Sequence, residues 1–271
     1  MSDLDAFAKL VGALSPWQED LVFIGGWAHR LYRHHHLAEQ PNHRPLLTRD
    51  ADVAFADGAR LEGNIRTALL DAGFREQLSG RHRPPVSQYT LGDENAGFYA
   101  EFLTPLHGSG LRRNGAMDAT TKAAGITAQK LRHLELLLIQ PWQVTVGPDQ
   151  DFARPAHLKV ANPVAFIVQK LLIHEDRPPH KRAQDVLYIH DTFALFGARF
   201  PALNALWLQH LQPTLTPRQA RSVTQCTQTH FHTVTDTFRS AARIPQDRTL
   251  DPGRMQAFCA LALEEILAGR S

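Results

Sequence analysis

Phe23-Ile24-Gly25-Gly26-Trp27-Ala28 and, further on, Thr48-Arg49-Asp50-Ala51-Asp52-Val53-Ala54-Phe55 are the two stretches that decide how this chain is read. The first is an apolar run that ends in two glycines and passes into a helix-like segment. The second is a short strand-like run with carboxylates two residues apart. Side chains alternate between the two faces of a strand, so Asp50 and Asp52 project together. Glycine permits backbone angles closed to other residues and lets a phosphate reach the main chain. The segment that follows, Trp27 to Leu37, reads as a helix whose first turn offers free N–H groups to an anion. Two carboxylates facing such a turn make a site for a nucleotide and its Mg²⁺, an ion that takes one or two carboxylates together with phosphates and water.

A third carboxylate on a neighbouring strand would complete a two-metal arrangement. The candidate is Glu101, in Gly97-Phe98-Tyr99-Ala100-Glu101-Phe102-Leu103-Thr104-Pro105. The run is apolar and aromatic on both sides of this one acid, as in a buried strand. A buried carboxylate is costly without a cation or a hydrogen-bonding partner. Glu101 is therefore read as a third metal ligand or as the base for an acceptor.

A second cluster lies downstream. Asn162-Pro163-Val164-Ala165-Phe166-Ile167-Val168-Gln169-Lys170 opens a helix with Asn162 as cap and Pro163 in the first turn. After a loop comes Arg177-Pro178-Pro179-His180-Lys181-Arg182-Ala183-Gln184-Asp185. Lys170 would place a point charge on a triphosphate, and Lys181 or Arg182 would be a second clamp. Asp185 follows Lys181 by four residues and Arg182 by three, so an ordinary ion pair on the helix surface is an open alternative reading of it.

Gly-Gly-Trp-Ala, an intervening helix and Thr-Arg-Asp-Ala-Asp-Val together resemble the DNA polymerase beta-type nucleotidyltransferase superfamily. Within it, the match is to bacterial nucleotidyltransferase-fold proteins related to the AbiEii toxins, which also show a Pro-x-x-Phe-x-x-x-Lys helix followed by Arg…Lys-x-x-Asp. The resemblance implies an α+β fold, a mixed-sheet nucleotidyltransferase fold followed by a C-terminal helical region. It implies nucleotide contacts at Gly25, Gly26, Trp27, Lys181 and Arg182. It implies Mg²⁺ (or Mn²⁺) on Asp50, Asp52 and Glu101, with Lys170 and Asp185 completing the catalytic set. The activity implied is transfer of a nucleoside monophosphate from an NTP to an acceptor, tRNA or a small molecule such as an aminoglycoside. Kinship extended to function would make the chain the toxin of a toxin–antitoxin pair, with an antitoxin protein as partner. The alternative is a catalytically silent nucleotide-binding or scaffold protein of the same fold.

The 271 residues suffice for one large domain or two modest ones, and the 43% hydrophobic content is ordinary for a soluble globular protein. No apolar run is long enough to cross a membrane, and the acidic start, Ser2-Asp3-Leu4-Asp5, lacks the basic opening of a signal peptide. The expectation is a cytoplasmic protein. A net charge of only +2 does not indicate a global field for nucleic acid. Cys226 and Cys259 read as buried thiols rather than a disulfide. His34-His35-His36 cannot chelate one ion from a regular helix and reads as a solvated helix end. With no HExxH or paired Cys-x-x-Cys pattern, transition-metal catalysis is a poor expectation.

Along the chain, helix is expected over Asp3 to Leu14, Trp27 to Leu37 and Leu61 to Ala72. Strand is expected over Leu21 to Ile24, Asp52 to Ala56, Phe74 to Leu78, Val86 to Leu91 and Phe98 to Leu103. Ala38 to Leu46 reads as a loop within this part. Arg112 and Arg113 sit in a Gly-rich loop and read as a cover over the triphosphate or as solvated loop. Leu131 to Ile139 fits helix or strand, and Gln143 to Val146 with His157 to Val160 fits a hairpin. Helices follow over Asn162–His174, Arg182–Phe196, Pro201–Leu211, Pro217–Ala242 and Pro252–Ala268. The shift near Ala161 divides a nucleotidyltransferase domain, 1–160, from a helical domain, 161–271.

Overall fold

The computed structural model describes residues 2–80, 84–92, 97–111, 115, 117–148, 152 and 155–269. The chain divides into two compact units, Met1–His34 with Leu47–Ala161, and His35–Leu46 with Asn162–Ser271. Arg112 and Arg113 lie outside the described residues.

The first unit is built on a mixed sheet, nine-stranded among the described residues. Its strands are β1 (Val22–Ile24), β2 (Asp50–Ala54), β3 (Arg75–Ser79), β4 (Val86–Leu91), β5 (Phe98–Pro105), β6 (Thr120–Ala123), β7 (Ile126–Leu131), β8 (Trp142–Val146) and β9 (Ala156–Val160). The main path of the sheet runs β3-β4-β5-β2-β1-β9-β8. β1 runs antiparallel to β2 and parallel to β9, and β2 runs parallel to β5. β6 and β7 form a hairpin, added beside β5, that the sequence reading did not include. Ala124 and Gly125 close it, both at positive φ, as a two-residue I′ turn requires.

Helix α1 (Asp3–Leu14) is capped by Ser2 and Asp5 in a reciprocal pair and buries Phe7, Leu10, Val11 and Leu14. Phe7 stacks on Trp27 at 3.8 Å and meets Phe23 edge-on at 5.1 Å, so α1, β1 and α2 (Gly25–Leu31) share one core. The helix expected over Trp27 to Leu37 starts two residues earlier and ends at Leu31, passing into a 3-10 turn, Tyr32–His34. The chain then leaves this unit. α3 (Ile65–Asp71) is shorter than expected because Asn64 caps it, accepting a hydrogen bond from the Thr67 N–H. Leu131 to Ile139 resolves into the end of β7 and a 3-10 helix, Leu134–Leu138, entered through His133 at φ 62°.

The second unit is helical: α4 (Pro163–Ile173), α5 (Pro179–Phe196), α6 (Phe200–Leu206), α7 (Pro217–His230), α8 (Asp236–Ala241) and α9 (Pro252–Ile266). Asn162 caps α4 through the Ala165 N–H at 2.8 Å, with Pro163 at the first helical position. α5 begins at Pro179, three residues before the expected start, since proline there lacks only an N–H that would be unpaired anyway. Two expected helices are interrupted. The one over Pro201 to Leu211 changes to a π-helical turn at Trp207–Leu211. The one over Pro217 to Ala242 breaks after His230, where Thr233, Val234 and Thr235 form a β-branched run unfavourable to helix. His35–Leu46 is tied into this unit: the Glu39 N–H donates to the Leu195 carbonyl at 2.8 Å and the Arg44 N–H to Asp247 Oδ2 at 2.7 Å. His35 is buried, not the solvated helix end expected. Cys226 and Cys259 are free buried thiols. Among the described residues, no helix is long and apolar enough to cross a membrane.

Candidate active site

The expected strand over Asp52 to Ala56 is in fact Asp50–Ala54, which takes both acids into β2. Ala51 and Val53 are fully buried while Asp50 and Asp52 are half-buried, so the alternation places the two carboxylates on the more open face. The parallel register with β5 sets Asp50 beside Tyr99 and Asp52 beside Glu101. The next strand, β4, sets Gln88 opposite Glu101 and Thr90 opposite Tyr99. One sheet face therefore gathers three carboxylates, a phenol and an amide from three adjacent strands.

Each acid has a distinct setting. Asp50 accepts a hydrogen bond from the Thr48 hydroxyl. Glu101 Oε1 accepts one from the Gln88 amide at 2.7 Å. Burial, then the charge of Asp50, push the Glu101 carboxyl above its ordinary range, and the Gln88 amide partly offsets this. Burial and the carboxylates of Asp50, Glu101 and Asp52 push the Tyr99 phenol upward. Asp52 lies against the glycine turn. β1 pairs Ile24 with Asp52, and a Cβ placed on Gly25 would fall 2.3 Å from Asp52 Oδ2. Gly25 is also left-handed, at φ +61°. Two separate constraints, space for a carboxylate and backbone conformation, thus require glycine here.

The Trp27 side chain is fully buried against Phe7, with Phe98 at its edge and the Arg30 guanidinium 4.6 Å over its ring. Its ring belongs to the core of the first unit, and no nucleotide can stack on it without dismantling that core. Gly25 and Gly26 open α2, whose N-cap residue, Ile24, makes no side-chain cap.

In the second unit Lys170 and Asp185 are 6% and 2% exposed and joined as a buried ion pair. Arg177 Nε reaches the other Asp185 oxygen at 3.2 Å. The Lys170 ammonium also lies over the Phe166 and Tyr188 rings, at 4.6 and 4.9 Å. Burial alone would raise the Asp185 carboxyl; Lys170 and Arg177 outweigh it and hold the group below its usual range. The surface pairing of Asp185 with Lys181 or Arg182 does not form. Arg182 instead donates to the Arg177 and Glu175 carbonyls, both at 2.8 Å, and closes the turn before α5. Lys181 Nζ reaches only the neutral Gln184 Oε1, at 3.3 Å, among the described residues. Sequence reasoning missed Arg177, Gln88 and Thr48 as partners of the acids; Arg177 and Thr48 each stood inside a motif, as its opening residue, while Gln88 stood in none.

Among the described residues, no group of three or more His, Cys, Asp or Glu side chains is placed to hold a metal ion. Glu101 is hydrogen-bonded to Gln88 on the strand beyond it. The pair Asp50 and Asp52 still offers the donor chemistry that Mg²⁺ or Mn²⁺ takes when phosphates and water supply the remaining oxygens.

A family model described as nucleotidyltransferase matches residues 2–212, from the first helix through Lys170 and Asp185 and beyond. The chain belongs to this nucleotidyltransferase family. It is a transferase that takes an NTP as substrate and moves a nucleoside monophosphate. No curated protein matches the chain.

Proposed function

We propose that transfer depends on Mg²⁺ or Mn²⁺ held by Asp50 and Asp52, and that Gly25 and Gly26 admit the phosphates of the NTP. The observation that supports this best is the placement of Asp52 directly against Gly25, so that one turn joins a carboxylate to a half-buried glycine backbone. A bound divalent ion would neutralise phosphate charge and acidify an acceptor hydroxyl. Thr48 fixes the Asp50 carboxylate, and Gln88 fixes Glu101 through Oε1, leaving Glu101 Oε2 to receive the acceptor proton. A carboxyl whose affinity for protons is raised by burial is suited to that role. Of the two basic residues that open α5, Lys181 rather than Arg182 keeps its charge for a phosphate, since Arg182 is committed to two carbonyls. Lys170 and Asp185 act as a unit.

Transfer of label from each α-labelled NTP into total RNA, protein and small-molecule extract, with Mg²⁺ and with chelator, tests the reading. Label should enter one fraction only with metal. Label in tRNA would support the acceptor and toxin role that kinship to AbiEii-related proteins implies, and label in the small-molecule fraction would replace it. Metal-independent transfer, or Mg·NTP binding without transfer into any fraction, would overturn the proposal.

A further inference from the structure

The helical unit holds a cavity that nucleotidyl transfer leaves without a role. It measures about 490 Å³ and lies between α7 and α9, with Trp207 in its wall. The volume is in the range of small-ligand sites. Trp207 opens the π-helical turn, an arrangement that costs regular helix geometry and recurs at functional positions. Its ring lends an apolar surface to the cavity wall.

The rest of the lining is richer in hydrogen-bond acceptors than in donors, with His232 as its imidazole, at an exposed position. Val223 and Leu263 supply buried apolar surface. The hydroxyls of Thr224 and Thr227 donate to carbonyls four residues back, Ala220 at 3.2 Å and Val223 at 2.9 Å. Their protons are thus used within α7, and toward a ligand they act as acceptors. Glu264 adds a carboxylate that makes no ion pair among the described residues. The amides of Gln212 and Gln228 serve either polarity. An anion would meet the Glu264 charge, while a neutral hydrocarbon would use neither that carboxylate nor the threonine oxygens. An apolar body ending in an ammonium group satisfies both walls.

We propose that this cavity binds an amphipathic organic cation, with its apolar part against Trp207, Val223 and Leu263 and its N–H groups on Glu264 and the threonine oxygens. Calorimetric titration of the full chain with phenethylamine, 2-phenylethanol and phenylacetate tests this, because the three probes share a body and differ in the polar end. Phenethylamine should bind about tenfold more tightly than the alcohol, and phenylacetate should be weakest. Glu264→Gln should abolish the preference for amine over alcohol while leaving the thermal midpoint unchanged. Ala260→Trp fills the cavity and should block every probe; Ala220→Trp, at an exposed position of α7, fills it from the other wall should the first variant fail to fold. Equal binding of amine and alcohol, an amine preference that survives Glu264→Gln, or no amine binding to the folded chain would each overturn the proposal.

Discussion

The two charge clusters of this chain follow opposite plans. On the sheet, Asp50 and Glu101 are held by neutral donors, a hydroxyl and an amide, on a half-open face. In the helical unit, Asp185 is enclosed and balanced by Lys170 and Arg177. Neutral donors orient a carboxylate without cancelling its charge, so the sheet acids keep their capacity to attract a cation. The enclosed pair has already spent its charge on itself. Its stability rests on completeness, since a buried ion pair is tolerated only while both partners remain.

The largest test of this contrast is Asp52→Asn. Removing one charge with little change of shape should lower transfer by about 10³-fold, the scale of losing a preorganised charge at a reacting centre. Denaturant unfolding should show near-wild-type stability, and a comparable loss of both properties would erase the distinction. Lys170→Met should do the reverse to the fold, costing about 3–5 kcal/mol by stranding a buried carboxylate. Adding Asp185→Leu should recover much of that stability. Transfer still absent from the recovered double variant would show that the pair also serves catalysis.

Gly25→Ala sharpens the sheet side of the comparison. A methyl group 2.3 Å from Asp52 Oδ2 must displace the carboxylate, and the left-handed backbone adds about 1–2 kcal/mol of strain. Transfer should fall further than this loss of stability explains, and a simple assay of metal dependence should show a weaker apparent affinity for Mg²⁺. The smallest effect belongs to His174 in the helical unit. Burial, then the neighbouring His230, lower its pKa from 6.5 to about 4. The unfolded chain takes up this proton near 6.5 and the folded one only near 4. The stability is therefore present in full above pH 6.5 and is lost as pH falls through that window. His174→Phe should flatten the pH dependence of the unfolding midpoint between 6.5 and 4; an unchanged slope would remove His174 as its source.

What could be read from the sequence divides along the same line. Alternation along β2 and the freedom of Gly25 are local properties, visible in a few consecutive residues. The α+β class and the helical C-terminal region follow from such local periods. The pairing of Glu101 with Gln88 depends on register between two strands, and register has no local signature. The partnership of Asp185 with Lys170 joins two helices, and spacing along α5 suggested Lys181 and Arg182 instead. Trp27 misled for a related reason: its place beside the glycines is a matter of sequence, while its burial against Phe7 is a matter of packing. The β6–β7 hairpin carried its turn in Ala124-Gly125, a weak signal without its flanking strands.

The detour of His35–Leu46 gives the chain an unusual cutting pattern. Because the backbone passes from the first unit to the second after His34, returns at Leu47 and passes again after Ala161, the units are joined by three covalent threads. A single protease cut at any one of them divides the chain in two but leaves the other two crossings between the units intact. Expression of 1–161 alone would not yield a clean module either. It would carry twelve residues whose partners, Leu195 and Asp247 among them, were left behind. The natural piece to isolate from this protein is the whole chain.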